Sequence, residues 1–191
     1  MSIMLPVIVL AAIALPLSGC SNATSDANQV VRDSDAQRTS ASDKLRKSTA
    51  TIDDVVRGAA AGQSLPASQT KSTSDAAMQD LNSALADLAG RNTALTSAQS
   101  LTLGEKYQEY LSLLTQSNDK LTDTVNAALE IPRLLTKEQY SLAGWDQVRT
   151  QEVINEIHAI QQRIELLYSD SETLRSQAEK IRKDNPQDFG E

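Results

Sequence analysis

The chain is poor in the residues that most often carry chemistry. Its 191 residues include one cysteine, one histidine, one tryptophan and one phenylalanine. A lone cysteine excludes an internal disulfide, so stability must come from packing. With a lone histidine beside it, the usual zinc ligand sets are excluded as well. Aromatics make up 3% of the chain, with seven glycines and five prolines. That scarcity speaks against a sheet protein, which draws on aromatic residues and frequent turns. The formal net charge is −7 and no basic patch interrupts it. Phosphate neutralisation drives nucleic-acid binding, so no nucleic-acid partner is expected, nor broad electrostatic adhesion to anionic lipid. Ala, Leu, Ser, Thr and Gln are plentiful instead, a composition suited to long helices with small side chains at their seams.

An apolar run without a charged residue begins at Ile3 and closes at Leu17-Ser18-Gly19-Cys20. It is shorter than the roughly 20 residues needed to cross a bilayer, and its small-residue end reads as a secretory signal peptide. No Lys or Arg precedes it. With the only cysteine placed directly after Leu17, Ser18 and Gly19, the segment resembles the lipobox of bacterial lipoproteins. The resemblance covers residues 1–20 alone. It implies cleavage before Cys20, a diacylglyceryl group on its sulfur and acylation of the new amine, with the membrane as partner through these chains. Two or more acyl chains give stable anchoring where one does not. Ser21, rather than Asp, follows the cysteine, which in Gram-negative lipoproteins implies delivery to the outer membrane, facing the periplasm. In a Gram-positive host the same anchor leaves the domain outside the cytoplasmic membrane.

The expected organisation is a signal peptide over 1–19, a lipidated cysteine and polar tether over 20–40, a helical domain over 41–185 and a flexible tail over 186–191. The tether reading rests on the Ser, Asp, Asn and Thr content after Cys20. From Ala41 a thin helical stripe follows through Leu45, Ile52, Val55, Val56 and Ala59, ending in a loop from Gly62 to Ser72. A second helix, capped by Ser72 or Ser74, places Met78, Leu81, Leu85, Leu88, Asn92 and Leu95 at a and d spacing. Its stripe resumes from Leu103 to Ala128. Between Ser97 and Gly104 either one helix absorbs a stutter or Thr102 recaps with Glu105; continuity is favoured, and Pro132 is expected to end the helix.

A third helix is expected from a Thr136-x-x-Gln139 capping box to about Lys183. Val153, Ile157, Ile160, Ile164, Leu167, Ser171, Leu174, Ala178 and Ile181 form its unbroken heptad series, a rod on the order of 70 Å at 1.5 Å per residue. The fold expected is all-α, an elongated antiparallel bundle of about three long helices with coiled-coil-like packing.

No enzyme motif stands out. His158 falls on the exposed face beside Ile157, with no second histidine or cysteine to join it. Asp53-Asp54 and Glu165, Asp170 and Glu172 read as solvated helix faces rather than acid–base pairs or a calcium loop. No phosphate loop, nucleophile elbow or His-Glu-x-x-His is present, and no cofactor is expected. Asn92 either fixes helix register at an a position or lies where the bundle frays. Trp145 and Tyr140 either seal a helical core or form an anchor for a partner. Two functions fit: a membrane-anchored structural or interaction rod with an envelope protein or a second copy as partner, and a binding module or sensor holding a small or lipidic ligand between helices. The chain ends Asp188-Phe189-Gly190-Glu191, without the terminal lysine by which the murein lipoprotein links to peptidoglycan.

Overall fold

The computed structural model describes residues 21–191; the signal-peptide and lipobox readings lie outside them. Four long helices follow in order: α1 (Ser21–Ala60), α2 (Ala67–Gln99), α3 (Glu105–Lys137) and α4 (Gln147–Asp184). A wide turn at Ser141–Trp145 precedes α4, and a 3-10 turn at Pro186–Phe189 follows it. No strand occurs among the described residues. The all-α expectation holds, with four helices close to the three expected. Short connections make each helix run back along the one before it. The main interfaces are α1–α2, α2–α3 and α3–α4, while α1 meets α4 only sparsely.

The stretch expected as a tether is instead the first half of α1. Ala27, Val31, Ser34 and Arg38 are buried and continue without a break into Ala41, Leu45, Ser48 and Ile52. The spacing alternates four and three residues, which keeps one face on the partner helix. Polar side chains at Ser34, Arg38 and Ser48 hide that face from a hydrophobicity reading. On α2 the matching face is Thr70, Ser74, Ala77, Leu81, Ala84, Leu88, Arg91, Leu95 and Ala98. Small residues recur every seventh position at Ala27, Ser34, Ala41 and Ser48, and at Ala77 and Ala84 opposite. The two backbones therefore come close; a Cβ on Gly90 of α2 would lie 2.8 Å from Gln37 Nε2 of α1. Lys44 Nζ to Asp87 Oδ2 at 2.6 Å and Lys47 Nζ to Asp80 Oδ2 at 2.8 Å stitch the outside of this hairpin.

The loop after α1 is shorter than expected. α2 begins at Ala67 behind Pro66, and Ser74 lies inside it, its Oγ donating to Thr70 O at 2.8 Å. Helix two is not continuous through Ser97–Gly104: α2 stops at Gln99 and α3 starts after Gly104, without a Thr102 cap. The reversal lets Leu95 and Ala98 pack with Tyr107, Leu111 and Leu114, apolar surface that a straight rod would leave wet.

Pro132 does not end α3, which continues to Lys137. Its missing N–H breaks one helical hydrogen bond, but Ile131, Leu134 and Leu135 around it are buried against Val153, Ile154 and Ile157 of α4, and that packing carries the helix through. The Thr136–Gln139 capping box does not form: Thr136 Oγ1 donates back to Pro132 O at 2.9 Å. The cap of α4 is Asp146, whose Oδ1 accepts from Arg149 N–H at 2.9 Å. Nor is the C-terminal tail loose. Phe189 is fully buried, stacks on Tyr107 at 4.6 Å between ring centres and meets Tyr110 edge-on at 5.1 Å. Asn28 of α1 ties the corner together, accepting from Tyr107 Oη and donating to Phe189 O, both at 2.8 Å.

Candidate interaction surfaces

A polar layer crosses the middle of the bundle. Arg91 of α2 occupies a core position with no exposure, and Arg38 of α1 is 5% exposed. Each leans on one carboxylate: Arg91 Nη2 donates to Asp35 Oδ1 at 2.9 Å, and Arg38 pairs with Glu172 of α4. Arg91 Nε and Nη1 and Arg38 Nη1 find no partner. Burial lowers the pKa of both guanidiniums, opposed by Asp35 and Glu172. Nearby, Ser117 of α3 and Ser171 of α4 each donate to the other's backbone carbonyl at 2.8 Å. Small side chains there allow these helices to touch.

The sparse α1–α4 seam opens into a groove of about 620 Å³ with Ile52, Val56, Ile131 and Ile164 along its floor. Its rim holds Asp53, Arg57, His158 and Glu165. Gln161 Nε2 reaches across to Asp53 Oδ1 at 2.6 Å, and desolvation raises the Asp53 pKa. His158 is exposed. Among the described residues no three His, Cys, Asp or Glu side chains converge to hold a metal ion. Glu172 is engaged with Arg38.

The second surface lies at the end of the bundle holding the α1–α2 connection and the turn before α4. Gly144 adopts φ 88°, a left-handed conformation that favours glycine, and the chain there turns outward. Trp145 is 78% exposed and Tyr140 is 55% exposed, their rings 5.1 Å apart. They do not seal the core; Leu142, at 2% exposure, fills that role. The turn is braced on several sides. Leu65 N–H donates to Leu142 O at 3.3 Å, Ser64 Oγ to Ala143 O at 2.7 Å and Thr150 Oγ1 to Ser141 O at 2.7 Å. Arg149 Nη2 donates to Glu138 Oε1 at 2.8 Å, a bond that lowers the Glu138 pKa and raises that of Arg149.

The heptad residues divide by depth. Leu81, Leu88, Val153, Ile157 and Ile160 are buried, whereas Leu85, Ile164, Leu167, Leu174 and Ile181 are half-buried on the flanks. Asn92 is half-buried beside the α2–α3 groove, next to Asn118, and its Oδ1 has no partner. Arg38, Arg91 and Ser117 are the residues that periodicity missed; the only signal was their place in an alternating four–three spacing. No helix among the described residues is long and apolar enough to cross a membrane. The sequence matches no family model, and no curated protein or solved structure is significantly similar to it.

Proposed function

We propose that the protein is a bacterial envelope lipoprotein, anchored through acylated Cys20, that acts as a structural or protein-interaction rod. On this reading the bundle is elongated and packs in coiled-coil fashion, as the seven-residue repeat of its α1–α2 seam suggests. The observation that carries the reading is the adjacency of Cys20 to α1, which is helical from Ser21 onward. Forty residues of α1 span about 60 Å at 1.5 Å each, so the anchor and the Trp145–Tyr140 pair stand at opposite ends. A bilayer-anchored bundle with an exposed aromatic pair at its far end suits presentation to an envelope protein, since exposed Trp and Tyr are favoured anchors. Enzymatic activity is no part of this reading.

Two measurements test it. Cys20→Ala should move the protein from the membrane to the soluble fraction; continued membrane fractionation refutes the anchor. Crosslinking in the native host should capture an envelope protein through the Trp145 end, and recovery of monomer alone refutes the interaction role. The alternative, a binding module for a small or lipidic ligand, draws on the apolar floor of the α1–α4 groove. It predicts a rise in melting temperature with envelope lipid, where a rod predicts none.

A further inference from the structure

Beside the aromatic pair lies a cleft of about 490 Å³ between the α1–α2 connection and the start of α4, within the range of about 300–1,000 Å³ common for small-ligand sites. Every residue lining it is uncharged. Its polar members are the amides Gln63, Gln147 and Gln151 and the hydroxyls Ser64 and Thr150. In a chain with 18 basic and 25 acidic residues, a wholly neutral lining is a distinct chemical environment. Of the charges that flank it, Arg149 bonds Glu138 and Glu152, and Asp146 caps α4 by accepting from the Arg149 backbone N–H. Ser64 and Thr150 donate their protons to backbone carbonyls, so each hydroxyl oxygen remains an acceptor. Gln63 and Gln147 are primary amides able to donate and accept, and Gln151, one of whose N–H groups is given to Asn155 Oδ1 at 3.1 Å, keeps a second donor and its acceptor. Trp145, the residue next in sequence to the lining residue Gly144, is 78% exposed.

We propose that this cleft binds a neutral oligosaccharide, the sugar hydroxyls meeting the Gln63, Gln147 and Gln151 amides while a C–H face rests on Trp145. Such a ligand presents paired donors and acceptors on its edges and an apolar face on each ring. The cleft offers amides and hydroxyls for the edges, and the aromatic pair offers a flat apolar surface. An ionic ligand would find no counter-charge among the lining residues, and an apolar one would strand the amides. The hydrogen bonds to Ser141, Leu142 and Ala143 fix the turn backbone that carries Trp145 beforehand, which reduces the ordering cost of binding. The proposal does not depend on how the chain is anchored.

Trp145 is the only tryptophan, so its emission reports the site directly. The full-length chain would be titrated with the neutral tetramers of N-acetylglucosamine, cellotetraose and maltotetraose, and with tetragalacturonate as the charged comparison. At least one neutral tetramer should give a saturable emission change with half-saturation at or below about 1 mM. Calorimetry should show Gln147→Ala binding about tenfold more weakly and Trp145→Ala losing binding, while melting temperature and circular dichroism stay at the native values. Tyr140→Ala, at a second exposed position, should also weaken binding. The proposal fails if no neutral tetramer saturates below about 10 mM, if Trp145→Ala leaves calorimetric binding unchanged, or if the uronate tetramer binds as tightly as the neutral ones. None of these results bears on membrane fractionation of Cys20→Ala, so the two readings fail separately.

Discussion

The Arg91 guanidinium, fully buried on α2, gives one N–H to Asp35 Oδ1 at 2.9 Å and leaves Nε and Nη1 without a partner. A charge so placed carries a desolvation cost that a single bond to a half-exposed carboxylate offsets only in part. Arg91 and Arg38 thus mark a layer where the bundle gives up stability, in line with core polar residues that fix register at an energetic cost.

Replacing Arg91 with Met should therefore be neutral or stabilising, by up to about 4 kcal/mol, whereas Asp35→Ala should destabilise by about 3 kcal/mol because it strands the guanidinium. Urea denaturation of the two variants separates the effects. A loss above about 2 kcal/mol in Arg91→Met would mean that Asp35 holds the arginine more firmly than this balance allows.

Ser117 and Ser171 exchange hydrogen bonds between α3 and α4 in a space sized for hydroxymethyl groups. Ser171→Ala should cost about 1 kcal/mol, the net worth of one such bond. Ser171→Leu restores an apolar heptad residue, yet should cost about 1–3 kcal/mol by overpacking. Thermal melts showing the leucine variant more stable than wild type would refute the close contact.

Phe189 sits under Tyr107 and Tyr110 with no solvent exposure. Phe189→Ala should cost about 3 kcal/mol, which for a chain of this size lowers the melting temperature by roughly 6–12 °C. An unchanged melt would return the C-terminus to the status of a flexible tail.

The Glu138–Arg149 pair braces the turn that carries Trp145. Its hydrogen bond from Arg149 depresses the Glu138 pKa below the ordinary 4.5. The contribution is therefore fully present above about pH 4.5 and is lost as the pH falls through the lower native value. Arg149, shifted upward, does not titrate in that window. Trp145 emission should change in acid below about pH 4.5, and Glu138→Gln should flatten that transition. An identical acid profile in the glutamine variant would place the titrating group elsewhere.

Much of this architecture is legible where apolar residues mark it. Val153, Ile157 and Ile160 announce α4, and Leu81, Leu88 and Leu95 announce α2, because periodic leucine and isoleucine leave few alternatives. Residues 21–40 were not legible as helix. Their core positions are Ala27, Val31, Ser34 and Arg38, and only a partner helix able to accept small and charged groups shows that these face inward. The α2–α3 reversal was ambiguous for a related reason: the segment from Ser97 to Gly104 carries one glycine and no proline, so tertiary burial of Tyr107 and Leu111 decided it. Pro132 misled because local backbone rules give way to the packing of Ile131, Leu134 and Leu135. At the candidate site, Trp145 and Tyr140 were visible as residues but not as exposed ones. That outcome depends on Gly144 and the cross-bracing from Ser64 and Leu65, contacts nearly 80 positions apart.

The order in which the helices pack bears on how the chain folds. Each makes its main interface with the next along the sequence, and only the sparse α1–α4 seam joins the first to the last. Contacts of this kind close short loops and keep contact order low, which favours fast folding. The α1–α2 hairpin, with its seven-residue register and outer ion pairs, is complete in sequence by Gln99. It is available to form during synthesis before α4 has been made, so a chain released early would already hold half of its framework.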